Sequence, residues 1–462
     1  MSEIAGERKR FTSGLTGYHY LVLVVACLGW SFDTMDQWLF VFAKQHAVKE
    51  LLISADARGL QGTMAPEAAR AEVELRAADP GFKGRVNYFT NICTAALMIG
   101  WATGGLFFGM VGDRLGRTRT MALTILVYAG FTGLSGLAQS WEQFAAFRFM
   151  TGLGVGGEFA AGAALVAETF PMHSRATALG IVQATSALGN VSAALINLGF
   201  AHFASPATSW RYMFSIGIIP ALLVVVIFAF IHEPEAWCQA RALAKQSKAK
   251  KQLGSILGLF SERVVRRNTL VGVSLAAVGV IGFWGISVWT PELLRSVLNP
   301  KDLADLRPVV EKQISYAGMA QNFGSFFGAL GFAWLAQRTG RRFGFVVALL
   351  LCLAVIPATF FLTNSFITGL VFFFLMGYAL LFLFGGFAVY FPEIFPTRLR
   401  STGTGFCYNV ARYITAGALF ALGPIMKAYG LPKMVLGVSI VFVLGLLVLP
   451  FAPETKDKPL PE

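Results

Sequence analysis

The sequence predicts an all-α membrane protein, with twelve transmembrane helices in two pseudo-symmetric six-helix bundles. Three observations carry this prediction. Apolar runs of about 20 residues, the length needed to cross a bilayer, recur along a 462-residue chain that is 55% hydrophobic. Arginine and lysine concentrate in every second connection. Two short motifs recur in one register in the two halves. A soluble domain of this size would instead alternate apolar and polar positions.

Taken in order, residues 1–18 are a tail carrying Arg8, Lys9 and Arg10. Residues 19–231 form the first bundle, with spans at 19–43, 87–110, 119–138, 143–166, 176–200 and 210–231. With no cleavage-site pattern before it, the first run is read as a retained span. A linker follows at 232–267. The second bundle, 268–451, has spans at 268–291, 314–336, 343–362, 366–390, 401–425 and 433–451, and a tail at 452–462 ends the chain. The excursion 44–86 is read as an outer loop whose Ala/Glu/Arg periodicity holds a short polar helix; a shorter excursion runs from 292 to 312. The final residues, 453–462, are expected to be disordered.

Charge orients the spans. One set of connections carries Arg114, Arg117, Arg119, Arg175, Arg338, Arg341, Arg342, Arg398 and Arg400, and the linker adds Lys248, Lys250 and Lys251 among others. The opposite connections are mixed in sign. By the positive-inside rule both termini and the linker are cytoplasmic, in a multi-pass protein of a cell membrane of bacterial inner-membrane type. The linker would lie along the anionic lipid surface. This bias explains the formal charge of +13 without nucleic acid. The five cysteines have no metal or redox spacing, and no His/Glu cluster or Ser/Lys pair sits at helical spacing in mid-span. No enzyme, metal or cofactor is expected. The expected partners are lipid, a small molecule and protons, and the expected state is a monomer.

The repeat is specific. Asp113-Arg114-Leu115-Gly116-Arg117 recurs as Gln337-Arg338-Thr339-Gly340-Arg341. Glu168-Thr169-Phe170-Pro171 with Arg175 recurs as Glu393-Ile394-Phe395-Pro396 with Arg400. Glu233-Pro234-Glu235 echoes Ala452-Pro453-Glu454. Six-helix halves related in parallel build rocking-bundle transporters, whose site lies between the halves.

At these residues the chain resembles the major facilitator superfamily. Gly109 to Arg119 matches that family's loop between spans two and three, departing at Thr118 where a basic residue is usual. The Arg148–Arg175 stretch, the Tyr390–Gly403 stretch and the Asp-x-x-Asp of the first span resemble the metabolite:proton symporters, in the branches for sialate, monocarboxylates and aromatic acids. Sugar porters share the Asp33, Arg148 and Gln183 positions, but span seven lacks their paired glutamines, and span five lacks the Gly-Pro motif of drug antiporters. The resemblance implies proton-coupled import of a small organic anion by alternating access. The alternatives are a sugar or polyol:proton symporter and a membrane sensor that binds a metabolite without moving it.

Charges inside spans nominate the site, since each costs about 2.5–3.5 kcal/mol at mid-helix on insertion scales. Asp33, Asp36 and Gln37 share one side of span one. Helical rise puts Asp33 roughly 22 Å from the cytoplasmic side and Arg148 at a similar level. The family places the first and fourth spans on the cavity, so an Asp33–Arg148 pair that opens and closes with protonation is expected; a static pair, or substrate binding by Arg148, are the alternatives. Glu158 is a candidate proton exit. Arg412, with Tyr408 and Asn409 on its face, is the candidate carboxylate clamp, because its hydrogen bonds are charge-assisted. Gln183 and Asn190 form a polar stripe, and Gln321, Asn322, Tyr378 and Trp284 would line the second half. Asp113, Arg114, Arg117, Glu168 and Arg175 are expected as a cytoplasmic gate, with Arg338, Arg341, Glu393 and Arg400 as its partner set. Asp113 is expected against the start of span eleven, where unpaired N–H groups favour an anion.

Overall fold

The computed structural model describes residues 11–60, 64–77, 79–203, 206–246, 253–287, 289–301 and 303–462. The basic residues Arg8, Lys9, Arg10, Lys248, Lys250 and Lys251 lie outside the described residues. The first half contains α1 (Gly17–Leu60), α2 (Pro66–Arg76), α3 (Pro80–Leu115), α4 (Arg117–Ser135), α5 (Trp141–Thr169), α6 (Met172–Ala184), α7 (Ser186–Phe203), α8 (Pro206–Ile216) and α9 (Ala221–Phe230). The linker holds α10 (Glu235–Gln246) and α11 (Gly258–Ser261). The second half contains α12 (Arg263–Ser287), α13 (Thr290–Leu298), α14 (Arg307–Thr339), α15 (Arg341–Leu362), α16 (Phe366–Ile394), α17 (Arg400–Tyr429), α18 (Leu431–Ser439) and α19 (Val441–Val448).

Every predicted span is occupied by a helix or a helix pair. Eight described stretches are long and apolar enough to cross a membrane by length and composition; α1, α4, α14 and α17 lie outside that set. Span six breaks at Gly217–Pro220, because proline cannot donate to the helix ladder. Span five breaks at Thr185, whose hydroxyl donates to the Val182 and Cys27 carbonyls.

Glycine sets the closest helix contacts, and it does so twice. A Cβ on Gly104 or Gly156 would strike the Leu153 or Trp101 carbonyl, so α3 and α5 meet backbone to backbone. Gly324 and Gly328 play the same part against Phe374 and Tyr378 where α14 meets α16. Small residues allow such approach in membranes, where packing replaces the hydrophobic effect between helices.

Three expectations are corrected. The stretch 44–86 is not a loop: α1 continues to Leu60 because Ala47, Val48, Leu51 and Leu52 recur at helical spacing and bury against Val73 of α2 and Phe82 of α3. The tail 453–462 is not free. Tyr390 Oη donates to the Pro453 carbonyl (2.8 Å), Thr455 Oγ1 donates to Glu393 (2.6 Å), and the Pro461 carbonyl accepts from Thr397 N–H (3.1 Å) and Arg400 Nη2 (3.0 Å). The repeated acid after the last span of each half is Glu233 and Glu454, two positions out of the register read from the prolines. Glu233 accepts from the N–H of Arg117 (2.7 Å) at the start of α4, and Glu454 from that of Arg341 (2.9 Å) at the start of α15. Each satisfies donors that a helix start leaves unpaired.

Candidate substrate and proton site

The two halves meet along two seams, α3 against α17 and α6–α7 against α14. At the face carrying the basic connections both seams are closed by the repeated motifs. Asp113, at the end of α3, accepts from the N–H groups of Ser401 (3.1 Å) and Thr402 (2.9 Å) and from Thr402 Oγ1 (2.5 Å) at the start of α17. Gln337, in the matching place on α14, accepts from Thr177 Oγ1 (2.9 Å) and donates to the His173 carbonyl on α6. Arg117 donates to Glu168 (2.8 Å) and, across the seam, to the Thr397 carbonyl (2.6 Å); Arg400 reaches Glu168 from the second half at 2.6 Å. Arg341 and Glu393 form the second copy, at 2.7 Å.

Not every gate candidate joins this network. Arg175 donates to the Ala167 carbonyl of its own half (2.8 Å), Arg114 donates to the Leu253 carbonyl (3.1 Å), and Arg338 covers the Trp334 ring at 4.1 Å. None of the three makes a hydrogen bond across the seam among the described residues: Arg114 reaches the linker, and Arg175 meets Glu393, Arg341 and Arg400 of the second half only through the longer-range field.

Deeper lie two acid–arginine groups, one within the first half and one across the seam. In the first, Arg148 meets Asp36 (3.6 Å) and not Asp33, which corrects the expected pairing. Ser135 Oγ accepts from Arg148 Nε (3.0 Å) and Nη2 (2.7 Å), and Thr132 Oγ1 donates to Asp36 at 2.7 Å. The guanidinium lies over the Phe214 ring at 4.7 Å. Arg148 and Asp36 are both buried, and Asp36 Oδ2 and Arg148 Nη1 have no hydrogen-bond partner. The reason is rotational: of two acids three residues apart on α1, Asp36 faces α4 and α5.

The second group lies beside the seam. Asp33 is buried; Gln37 Nε2 donates to its Oδ1 (3.2 Å), and its Oδ2 has no hydrogen-bond partner. Glu158 Oε1 fills the space beside Gly29, one turn before Asp33, and Glu158 Oε2 is buried without a partner. Across the seam, the half-buried Arg412 lies 3.6 Å above the Trp101 ring and 5.2 Å from that of Tyr408. Its Nε is buried without an acceptor, and no carboxylate among the described residues lies within ion-pair distance of it, although Asp33 acts on it electrostatically. Asn409 donates to the Gly405 carbonyl (2.8 Å), leaving its Oδ1 buried and unpartnered. Gln183 is buried with Oε1 unpartnered. Buried polar atoms are normally paired, so this cluster of exceptions calls for an explanation.

Phe159 ties the group together. Its ring lies 4.9 Å from that of Trp30 on α1 and 4.7 Å from that of Tyr408 on α17. Trp101 and Phe159 escaped the sequence reading because an aromatic inside an apolar run looks like packing. The one available signal was depth, since both stand in mid-span, away from the ends where aromatic anchors collect.

The remaining candidates divide. Asn190 Nδ2 donates to Asn322 Oδ1 across the second seam (2.7 Å), and Asn322 Nδ2 donates to the Gly318 carbonyl (3.0 Å). Gln321 is half-buried, with its backbone carbonyl against Gly377 of α16. Tyr378 packs on Phe382 with its hydroxyl against Gly331, and Trp284 packs edge-on to Phe283. The structure does not bring these last two to Arg412. Among the described residues no group of His, Cys, Asp or Glu could hold a metal ion.

Residues 87–418 match the model of the Major Facilitator Superfamily. The chain is 34% identical to a probable 4-methylmuconolactone transporter of Cupriavidus pinatubonensis, over 73% of this chain and 75% of that one. It is 30% identical to a cis,cis-muconate transport protein of Acinetobacter baylyi, over 84% and 89% of the two chains. Its fold is similar to that of a proton:xylose symporter solved with 6-bromo-6-deoxy-D-glucose, with a TM-score of 0.74 and 18% identity, covering 96% of this chain and 98% of the other.

Proposed function

Because the chain belongs to the Major Facilitator Superfamily, and so is a multi-pass secondary transporter and not an enzyme, we propose that it imports a small organic anion together with protons across the cell membrane. The observation that carries this reading is Arg412, a guanidinium on the seam between the halves that lacks a carboxylate partner among the described residues. A fixed positive charge with an unsatisfied N–H in a low-dielectric site favours a carboxylate cargo, and charge-assisted bonds supply the affinity. Asn409 and Gln183 add unpartnered acceptors for a hydroxyl or amide on the same molecule. Trp101 and Tyr408 offer ring faces to a flat or unsaturated one. The names of the muconate and methylmuconolactone relatives support an organic acid.

Asp33 and Glu158 are the proton sites in this reading. Each is buried, has no ion-pair partner among the described residues and retains a carboxyl oxygen with no donor, so a proton can add there without breaking an existing bond; Asp36 also keeps one such oxygen, but its charge is paired with Arg148. The basic face is cytoplasmic, both termini lie on that side, and the Asp113, Arg117, Glu168 and Arg400 contacts hold it shut while the site loads from outside. The gate charges are buried and paired in the closed state, so they are exchanged as a set for an inward-open arrangement that binding of cargo and proton must favour.

The test is uptake into proteoliposomes under an imposed inward proton gradient, with cis,cis-muconate, a monocarboxylate, sialate and xylose as cargoes. An acid should accumulate with the native chain. Arg412→Gln should weaken its apparent affinity by about 10- to 100-fold, matching the roughly 1.5–3 kcal/mol of hydrogen bonds to a charged group. Gradient-driven xylose uptake that survives Arg412→Gln would replace the organic-acid reading with a sugar symporter. Binding of an acid without accumulation would replace it with a sensor.

A further inference from the structure

The two halves share one architecture but differ in the cleft between their first and last spans at the basic face. In the first half, where α1 starts beside the end of α9, the cleft is shut. Tyr18 Oη donates to the His232 carbonyl and accepts from its N–H, both at 3.1 Å, and the two rings lie 6.1 Å apart. In the second half, the start of α12 lies beside the 449–451 turn after α19, and a cavity of about 630 Å³ opens there. Arg263, Arg266 and Arg267 line it, together with Leu270, Val448 and Phe451.

The three arginines stand at i, i+3 and i+4 and so share one side of α12. All three are exposed, and none has an ion pair among the described residues. The neighbouring acid, Glu262, is already taken by Arg398. Leu270 and Phe451 are large apolar side chains left exposed beside this charge. Leu270 stands one turn further into the span than Arg267, about 4.5 Å along the axis. The cleft therefore has a cationic mouth at the membrane surface and an apolar wall running towards the membrane interior. A soluble anion would use only the mouth, whereas a molecule with an anionic head and an apolar tail would use both.

We propose that this cleft is a binding site for an anionic phospholipid, with the phosphate among Arg263, Arg266 and Arg267 and an acyl chain along Leu270, Val448 and Phe451. The proposal goes beyond the transport reading and rests only on its placing of the basic face at a membrane surface. Basic pockets between helices on that side are suited to such head groups. Because both walls belong to one half, the lipid braces α12 against the 449–451 turn without crossing a seam.

The test is native mass spectrometry of the full-length protein from detergent, titrated separately with phosphatidylglycerol, cardiolipin and phosphatidylcholine. Anionic lipid adducts should form at a concentration at least tenfold lower than phosphatidylcholine adducts. Arg266→Gln/Arg267→Gln should remove that preference, while Arg119→Gln/Arg241→Gln, which takes two charges from the basic face elsewhere, should keep it. Equal losses in the two double variants, or no preference in the native chain, would overturn the site. A measurement on the native protein needs no variant: short-chain phosphatidylglycerol should displace the bound lipid, and millimolar inorganic phosphate should not. Displacement by phosphate as effective as that by the short-chain lipid would make the cleft a site for soluble anions and overturn the proposal. Failure of acid uptake would sink the transport reading and leave this titration unchanged.

Discussion

Two acid–arginine groups lie in mid-membrane within a few turns of each other, and they differ in whether acid and cation are paired. Asp36 and Arg148 are closed in by Thr132, Ser135 and three aromatic rings, all from one half. Asp33, Glu158 and Arg412 span the two halves with no ion pair among the described residues, whereas polar atoms without a hydrogen-bond partner remain in both groups, Asp36 Oδ2 and Arg148 Nη1 included. A buried acid and cation already paired within one half are costly to separate and therefore fix helices. Buried charges without an ion-pair partner keep that capacity in reserve, and a transporter can give it to cargo and protons in turn. The comparison assigns structure to the first group and work to the second, and it can be broken at either one.

The largest effect is expected at the paired group. Arg148→Met leaves a buried carboxylate without its cation, and breaking a buried pair from one side costs about 3–5 kcal/mol. The apparent Tm of the purified protein should fall sharply. Replacing both members, as Arg148→Met/Asp36→Leu, should recover most of the loss, because a well-packed apolar pair is often as stable as an ionic one. If Arg148→Met keeps the native Tm and abolishes uptake, the pair is a moving part of the cycle and the comparison fails.

The next effect concerns the open group and is a split between two transport assays. Asp33→Asn and Glu158→Gln should each abolish accumulation driven by a proton gradient while leaving counterflow, in which labelled cargo exchanges with unlabelled cargo and no net proton moves. Both are near-isosteric, so cargo contacts survive. Asp36→Asn, at an acid already paired with Arg148, should not produce that split. Loss of counterflow in the Asp33 and Glu158 variants would make these acids cargo ligands instead of proton sites.

Much of this arrangement is legible in the sequence, and the boundary of what is legible is physical. The hydropathy runs and the doubled Asp113 and Glu168 motifs identify spans, halves and the residues at the seam, because each follows from local composition at a fixed register. Asp113 stands at the start of α17, where the dipole argument puts it. Depth is also readable from helical rise. Rotation is not: Asp33 and Asp36 differ by only about 60° around α1, and which of them faces Arg148 depends on how α1 packs on α4 and α5. The same limit hides Trp101 and Phe159, whose roles come from the partner helix. The extension of α1 to Leu60 and the docking of the tail are tertiary as well. Nothing near Glu454 in sequence announces that the start of α15, more than a hundred residues earlier, holds donors for it.

Glu454 carries the same distinction to the surface and gives the smallest expected effect. Burial pushes its carboxyl up, but the backbone N–H groups of Arg341, Lys456, Arg342 and Thr455 outweigh this and hold it below the ordinary glutamate value of 4.5. Because the folded value is the lower one, the contribution of Glu454 to stability is fully present above about pH 4.5 and is lost as pH falls through the folded value. Glu454→Gln should therefore lower the apparent Tm slightly at pH 7, and the gap from the native chain should narrow below pH 4.5. Uptake of the acid cargo should be kept, because the cap lies outside the site. A gap that stays constant down to pH 3 would mean that the four donors hold the tail equally well with or without charge. Satisfaction would then be a matter of shape alone at this position, and the contrast drawn for the membrane interior would not extend to the surface.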